Sequence, residues 1–298
     1  MRELLFDTKG RLRSGWRFTI FCAVFIVAAM AIGGAGLAVL QALSVPLDAG
    51  EPAFLLVNSA AMLIPALLIG WLCGKYLEGL PFRALGAWFT DDWFKHLAGG
   101  ILGGAGTVSF AVAIAAAFGG LRFELNTADG TAMIKSLIIS FAVLAVGAAA
   151  EEALFRGYIL QTFARSGFAA LAIALTAVFF GIVHSRNPNV GNLAVINTIL
   201  AGIWFGVAYL KTRDLWFVWG MHLMWNWMQG AFFGIEVSGI TTLVSAPVLR
   251  EIDSGPAWLT GETYGVEGGI VTTVALIVST IVIYFLPWQK PRRVVVDS

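Results

Sequence analysis

The sequence predicts an all-α membrane protein, a single membrane-embedded domain over residues 1–298 built as a bundle of about eight transmembrane helices. Three observations predict it. First, 58% of the residues are hydrophobic and only 12% charged, with a mean hydropathy of +0.82; a soluble domain carries about 25% charged residues. Second, apolar runs long enough to cross a bilayer, about 17–25 residues, recur along the whole chain. Third, Lys and Arg gather on alternate connections, as a positive-inside topology requires.

The first run, 18–43, follows Lys9, Arg11, Arg13 and Arg17. A cleaved leader has an apolar core of about 7–15 residues, so this longer run reads as a retained first helix. Runs 53–74 and 96–118 come next. The 75–95 segment between them holds Pro81, Trp88 and Trp93 and is expected at the membrane interface. Four runs follow closely, 134–160, 168–184, 192–210 and 214–234, and 268–287 is the last. The 235–267 connection, with Pro247, Pro256 and several acids, predicts an irregular loop.

With the N-terminus inside, the inner segments hold Arg2, Lys9, Arg11, Arg13, Arg17, Lys75, Arg83, Lys95, Arg165, Lys211, Arg213, Lys290, Arg292 and Arg293. The outer segments hold Arg122, Lys135, Arg186 and Arg250. This bias predicts both termini in the cytoplasm of a multi-pass protein, and a bacterial cell membrane is the expected location.

Several function classes fall away. A net charge of +1 leaves no basic stripe for nucleic acid. Cys22 and Cys73 both lie in apolar runs, with no C-x-x-C spacing and no disulfide framework. The pairs Gly99/Gly103, Gly100/Gly104 and Gly202/Gly206 have small-xxx-small spacing, expected to serve packing within one bundle.

Three runs carry polar groups that lipid does not tolerate. In AAAEEALFRG, Glu152 and Arg156 are four apart with the acid first, the favourable helical order. Glu151 is turned about 100° from Glu152 and shares a face with Phe155. In FFGIVHSRNPN, His184 lies four residues after Phe180, and Asn187-Pro188 breaks the helix. In GMHLMWNW, His222 and Asn226 point the same way. Taken singly, each is as well read as interhelical glue or a buried ion pair. Together they supply a base for water, a second group to hold that water, and donors for an oxyanion. The chain has no G-x-S-x-G elbow, no H-E-x-x-H helix and no aspartate in a span. Glutamate with histidine remains, acting on water directly or through a metal.

These residues resemble the CPBP family of intramembrane proteases, the CAAX-prenyl and bacteriocin-processing enzymes also called Abi proteins. The family pattern of E-E-x-x-x-R, F-x-x-x-H and H-x-x-x-N reads here as Glu151-Glu152 to Arg156, Phe180 to His184, and His222 to Asn226. The motif-bearing core spans about 134–230. The resemblance implies a membrane peptidase cutting a peptide bond near the membrane surface, with a peptide or protein substrate that is prenylated for the eukaryotic members. It implies Glu151 as the base, His184 holding the water, His222 and Asn226 as the oxyanion pair, and Glu152, Arg156 and Phe180 as support. Whether a divalent metal, zinc above all, sits at Glu151, His184 and His222 is left open by the resemblance. Two other classes compete: a non-catalytic immunity or scaffold protein on the same fold, and a proton-coupled transporter using Glu151 as relay. An intact motif set weighs against the first, and the lack of an internal repeat against the second.

Depth sets a condition. Counted from the inner helix ends at about 1.5 Å per residue, His222 lies ~12 Å deep, Glu151 ~20 Å and His184 ~24 Å. The residues share one site only if the helices around 160–170 project beyond their neighbours.

Overall fold

Helices form at all the apolar runs. The computed structural model describes residues 2–7, 10–48, 51–240 and 242–286. We label the long helices α1 (Ser14–Ala42), α2 (Pro52–Glu78), α3 (Trp93–Ala117), α4 (Gly130–Arg165), α5 (Ala169–His184), α6 (Asn192–Thr212), α7 (Leu215–Trp227, continued as a π-helix over Met228–Phe232) and α8 (Ile270–Phe285). By length and composition α1, α2, α3, α4 and α6 can each cross a membrane, while α5 and α8 are shorter apolar helices. The all-α membrane architecture therefore holds, and the number of full crossings is only approximately eight.

Local chemistry sets the ends. Pro52 opens α2, where its missing N–H costs nothing, and Gly79 closes it at φ 69°, a left-handed cap that glycine adopts freely. The Asp129 carboxylate accepts from the Thr131 and Ala132 amides at the start of α4, and Asp214 accepts from the Trp216 amide to start α7. Inside α4 the α-helix ends at Glu152 and a π-helix runs over Ala153–Ile159. Such π segments are rare and concentrate at functional sites.

Glycines decide the tightest contact. A Cβ at Gly100 or Gly104 of α3 would collide with the Phe217 or Met221 carbonyl of α7, and one at Gly220 would meet Leu97. Gly202 of α6 lies equally close to Ala177 of α5. The small-residue spacing thus serves contacts inside the bundle.

One pole carries the α4–α5 turn. There Glu78 receives Arg17 (Nη1–Oε2, 2.5 Å) and Arg165 (Nη2–Oε1, 3.0 Å), and Arg17 also donates to the Leu12 carbonyl. The 3-10 turn Phe82–Leu85 buries Ala84 and Leu85 against the helix ends, while Trp88 and Phe89 stay exposed. The expected interfacial segment is therefore also a clasp. The Leu85 carbonyl accepts from Gln161 Nε2 of α4 (3.0 Å), and the neighbouring Gly86 carbonyl accepts from the Leu215 amide (3.0 Å). The start of α7 thus lies near Gln161, and the α4–α5 turn lies about one helical turn beyond it.

The opposite pole corrects the sequence reading. The 235–267 connection is not wholly irregular. Its Leu249–Asp253 strand (β2) pairs antiparallel with Leu121–Leu125 (β1), with Phe123 opposite Glu251. A short helix, Ala257–Thr260, follows. The alternation in LRFEL was present, but five residues are too few to declare a strand.

Candidate active site

Glu151, Glu152 and Arg156 sit where α4 passes from α-helix to π-helix; His184 is the last residue of α5; His222 lies in the middle of α7. The α4–α5 hairpin brings Glu151 and His184 level, because the two lie nearly equal distances from the turn at 166–168. All three meet. Glu151 Oε2 is 3.8 Å from His184 Nε2 and 3.7 Å from His222 Nε2.

The imidazoles are fixed from behind. His184 Nδ1 lies 2.8 Å from the Phe180 carbonyl and His222 Nδ1 lies 2.9 Å from Glu152 Oε1. A carbonyl and a carboxylate only accept, so both Nδ1 atoms carry the proton. In its neutral form each ring then turns an Nε2 lone pair toward Glu151. The rings are also held by faces: Phe205 stacks on His222 at 4.7 Å and 24°, and Phe180 lies 4.4 Å from His184.

Glu152 does more than pair with Arg156. Its Oε1 accepts from Arg156 Nη1 at 2.9 Å and from His222 Nδ1 at the same length. Arg156 is fully buried, donates also to the Gly202 carbonyl (3.1 Å), and lies over the Phe180 and Phe205 rings at 5.0 and 5.1 Å. Two adjacent glutamates therefore differ sharply. Each has an Oε2 without a hydrogen-bond partner, but Glu152 is 1% exposed with its Oε1 held by two donors, whereas Glu151 is 24% exposed and faces the two Nε2 atoms. That contrast follows from the ~100° step between neighbouring helix positions.

The site opens on a cavity of about 270 Å³ lined by Glu151, His184, His222 and Asn226. Asn226 is half-buried one turn along α7 from His222. The sequence reading missed Glu267, which lines the same cavity from beyond the last motif. Its only signal was an acid between glycines just before the final apolar run.

The donor chemistry of Glu151, His184 and His222, two imidazole nitrogens and a carboxylate oxygen, is the kind a zinc ion takes. Among the described residues no group of three or more such side chains is placed to hold a metal ion.

Residues 133–228 match the family model of type II CAAX prenyl endopeptidase, Rce1-like. The match agrees with the resemblance of the motif-bearing core to CAAX proteases. The matched segment contains every motif residue from Glu151 to Asn226 and leaves α1–α3 and α8 outside. At the level of the family, the match supports a CAAX-protease-like membrane endopeptidase acting on a peptide. No curated protein matches the chain.

Proposed function

We propose that the chain hydrolyses a peptide bond near the membrane surface by a glutamate-activated water, without a step through a metal. The observation that carries this reading is the unpartnered, largely enclosed Glu151 Oε2 facing two oriented imidazoles. Two hydrogen bonds of about 2.8 Å span the 3.8 Å between Glu151 Oε2 and His184 Nε2, so one water reaches both. Glu151 takes the proton of that water as it adds to the carbonyl carbon. The oxyanion that forms is met by Asn226 Nδ2–H and by Nε2–H of His222 in its doubly protonated form, which takes its second proton from solvent and keeps it through the cycle, with the Glu152 carboxylate facing that ring at Nδ1. Collapse breaks the C–N bond, and the carboxyl proton of Glu151 passes to the leaving amine. Glu152 acts through His222, and Phe180 acts through His184, as positioning residues.

A metallopeptidase reading has one observation in its favour: both Nε2 lone pairs are available. The two readings part on chelation. Purified enzyme in micelles should keep cleaving a quenched peptide after a zinc chelator; stoichiometric zinc whose removal abolishes activity and whose return restores it would make Glu151, His184 and His222 ligands. The base itself is tested by Glu151→Gln, expected to lose about 10²–10⁴ in rate with an unchanged melting temperature. Full activity in well-folded Glu151→Gln protein overturns the proposal.

A further inference from the structure

Glu267 is the second acid in the cavity wall, and the mechanism above does not use it. It stands in the 3-10 turn Val266–Gly268, just before α8. Three donors hold it: Trp225 Nε1 at Oε1 (3.0 Å), and the Ser238 amide (2.7 Å) and Ser238 Oγ (2.9 Å) at Oε2. Its backbone carbonyl accepts from Asn197 Nδ2 at 2.8 Å. The carboxylate is therefore rigid.

It also lacks a counter-charge. None of the ion pairs among the described residues includes Glu267. No Lys or Arg is among the described residues that line the cavity, and the nearby motif cation, Arg156, is committed to Glu152. A partly buried carboxylate without a cation is costly. If holding Trp225 and Ser238 were its whole task, a neutral acceptor would do it at lower cost. The cavity instead presents two carboxylates, Glu151 and Glu267, and aromatic faces from Trp204, Phe205 and Trp225. A fixed anion beside aromatic faces is a receptor for a cation. The same field repels a peptide's terminal carboxylate.

We infer that Glu267 is a specificity-determining residue that selects substrate segments carrying a lysine or arginine side chain, seated against Glu267 and Trp225 in the cavity. The inference rests on the peptidase reading of that cavity, and binding can be measured apart from cleavage.

The test uses the full chain in detergent micelles, as the Glu151→Gln variant, to capture peptides from a random dodecapeptide mixture read by mass spectrometry. Bound peptides should be enriched about tenfold in Lys and Arg, a preference worth ~1.4 kcal/mol. The preference should vanish in Glu151→Gln/Glu267→Gln. It should survive in Glu151→Gln/Trp225→Phe, which keeps the charge and loses one hydrogen bond. If the double variant carrying Glu267→Gln proves unstable, Glu151→Gln/Glu267→Asp, which retains the anion, should keep the preference. Equal capture of cationic and neutral peptides, or an enrichment indifferent to Glu267, overturns the inference. In active enzyme, Glu267→Gln should raise KM for a lysine-bearing quenched peptide about tenfold and leave that of its norleucine counterpart unchanged; an equal loss on both would mean a structural latch only. Cation-selective capture without any cleavage by the unsubstituted chain would overturn the peptidase reading while leaving the charge selection standing.

Discussion

Among the described residues, two of the clusters of buried charge are built differently. At the α4–α5 turn, Glu78 has both oxygens engaged, by Arg17 and by Arg165, and each arginine has further partners in Leu12, Ser166 and Gln161. Deeper along α4, Glu152 and Arg156 are paired but leave Glu152 Oε2 and Arg156 Nε without a partner, and Glu151 beside them turns an unpartnered Oε2 toward two oriented imidazoles and the cavity. Where charge is paired and hydrogen-bonded, it ties α1, α2 and α4 together. Where one lone pair is left over, it is available for a proton. The difference teaches that the number of charges inside the bundle says little about function, and that what each charge faces says more.

The sharpest way to break the comparison is to open the closed cluster. Glu78→Gln leaves Arg17 and Arg165 without their anion in a site 3% exposed, and losing one partner of a buried pair costs about 3–5 kcal/mol. The expected result is a large fall in melting temperature in micelles, with kcat of the surviving folded protein retained. If Glu78→Gln instead removed activity at unchanged stability, the two clusters would not differ in kind. Glu152→Gln sharpens the contrast because Glu152 belongs to both patterns. It should lower stability through Arg156 and also lower kcat through His222, and a purely thermal effect would show that its bond to His222 is idle.

A smaller effect is expected at the open end of the site. Asn226→Ala removes one donor from the cavity wall and should lower kcat by about 10²–10³ at little cost in stability, as loss of a single oxyanion donor does. Asn226→Ala activity equal to that of the parent would remove Asn226 from the oxyanion pair.

A further effect lies outside both clusters and shows only with pH. In β2, burial pushes the Glu251 carboxyl up from 4.5 to about 8, with Glu236 and Asp253 adding to the rise. A carboxyl whose folded-state pKa is raised binds its proton more tightly in the folded chain. Stability is therefore highest below the unfolded value near 4.5 and declines as pH climbs toward about 8. Glu251→Gln should flatten that decline, leaving the melting temperature unchanged at pH ~4 and higher than the parent's at pH ~9. An identical pH profile in parent and variant would mean that β2 does not shield this residue.

Much of this was legible in the chain. Eight apolar runs gave the helices because lipid forces every backbone group to be satisfied within its own segment, a condition that leaves a long, local signal. The i, i+4 spacings of Glu152 with Arg156, Phe180 with His184 and His222 with Asn226 placed each motif on one face, since helical geometry is itself local. The ~100° step between Glu151 and Glu152 even foretold that they would face different neighbours. What the chain alone did not disclose depended on partners far away in sequence. Glu152 reaches His222 across 70 positions, so its second role had no local signature. The β1–β2 pair joins five-residue strands more than a hundred residues apart. Arg17, read as one more inner positive charge, is buried on Glu78. Glu267 looked like a loop acid until the fold set it in the cavity wall beside Trp225. Sequence determined which segments are helices and which side chains share a helical face, because those follow from bonds between near neighbours. Only the tertiary structure decided which carboxylate faces the cavity and the two imidazoles, because that depends on every group the packed helices bring within reach.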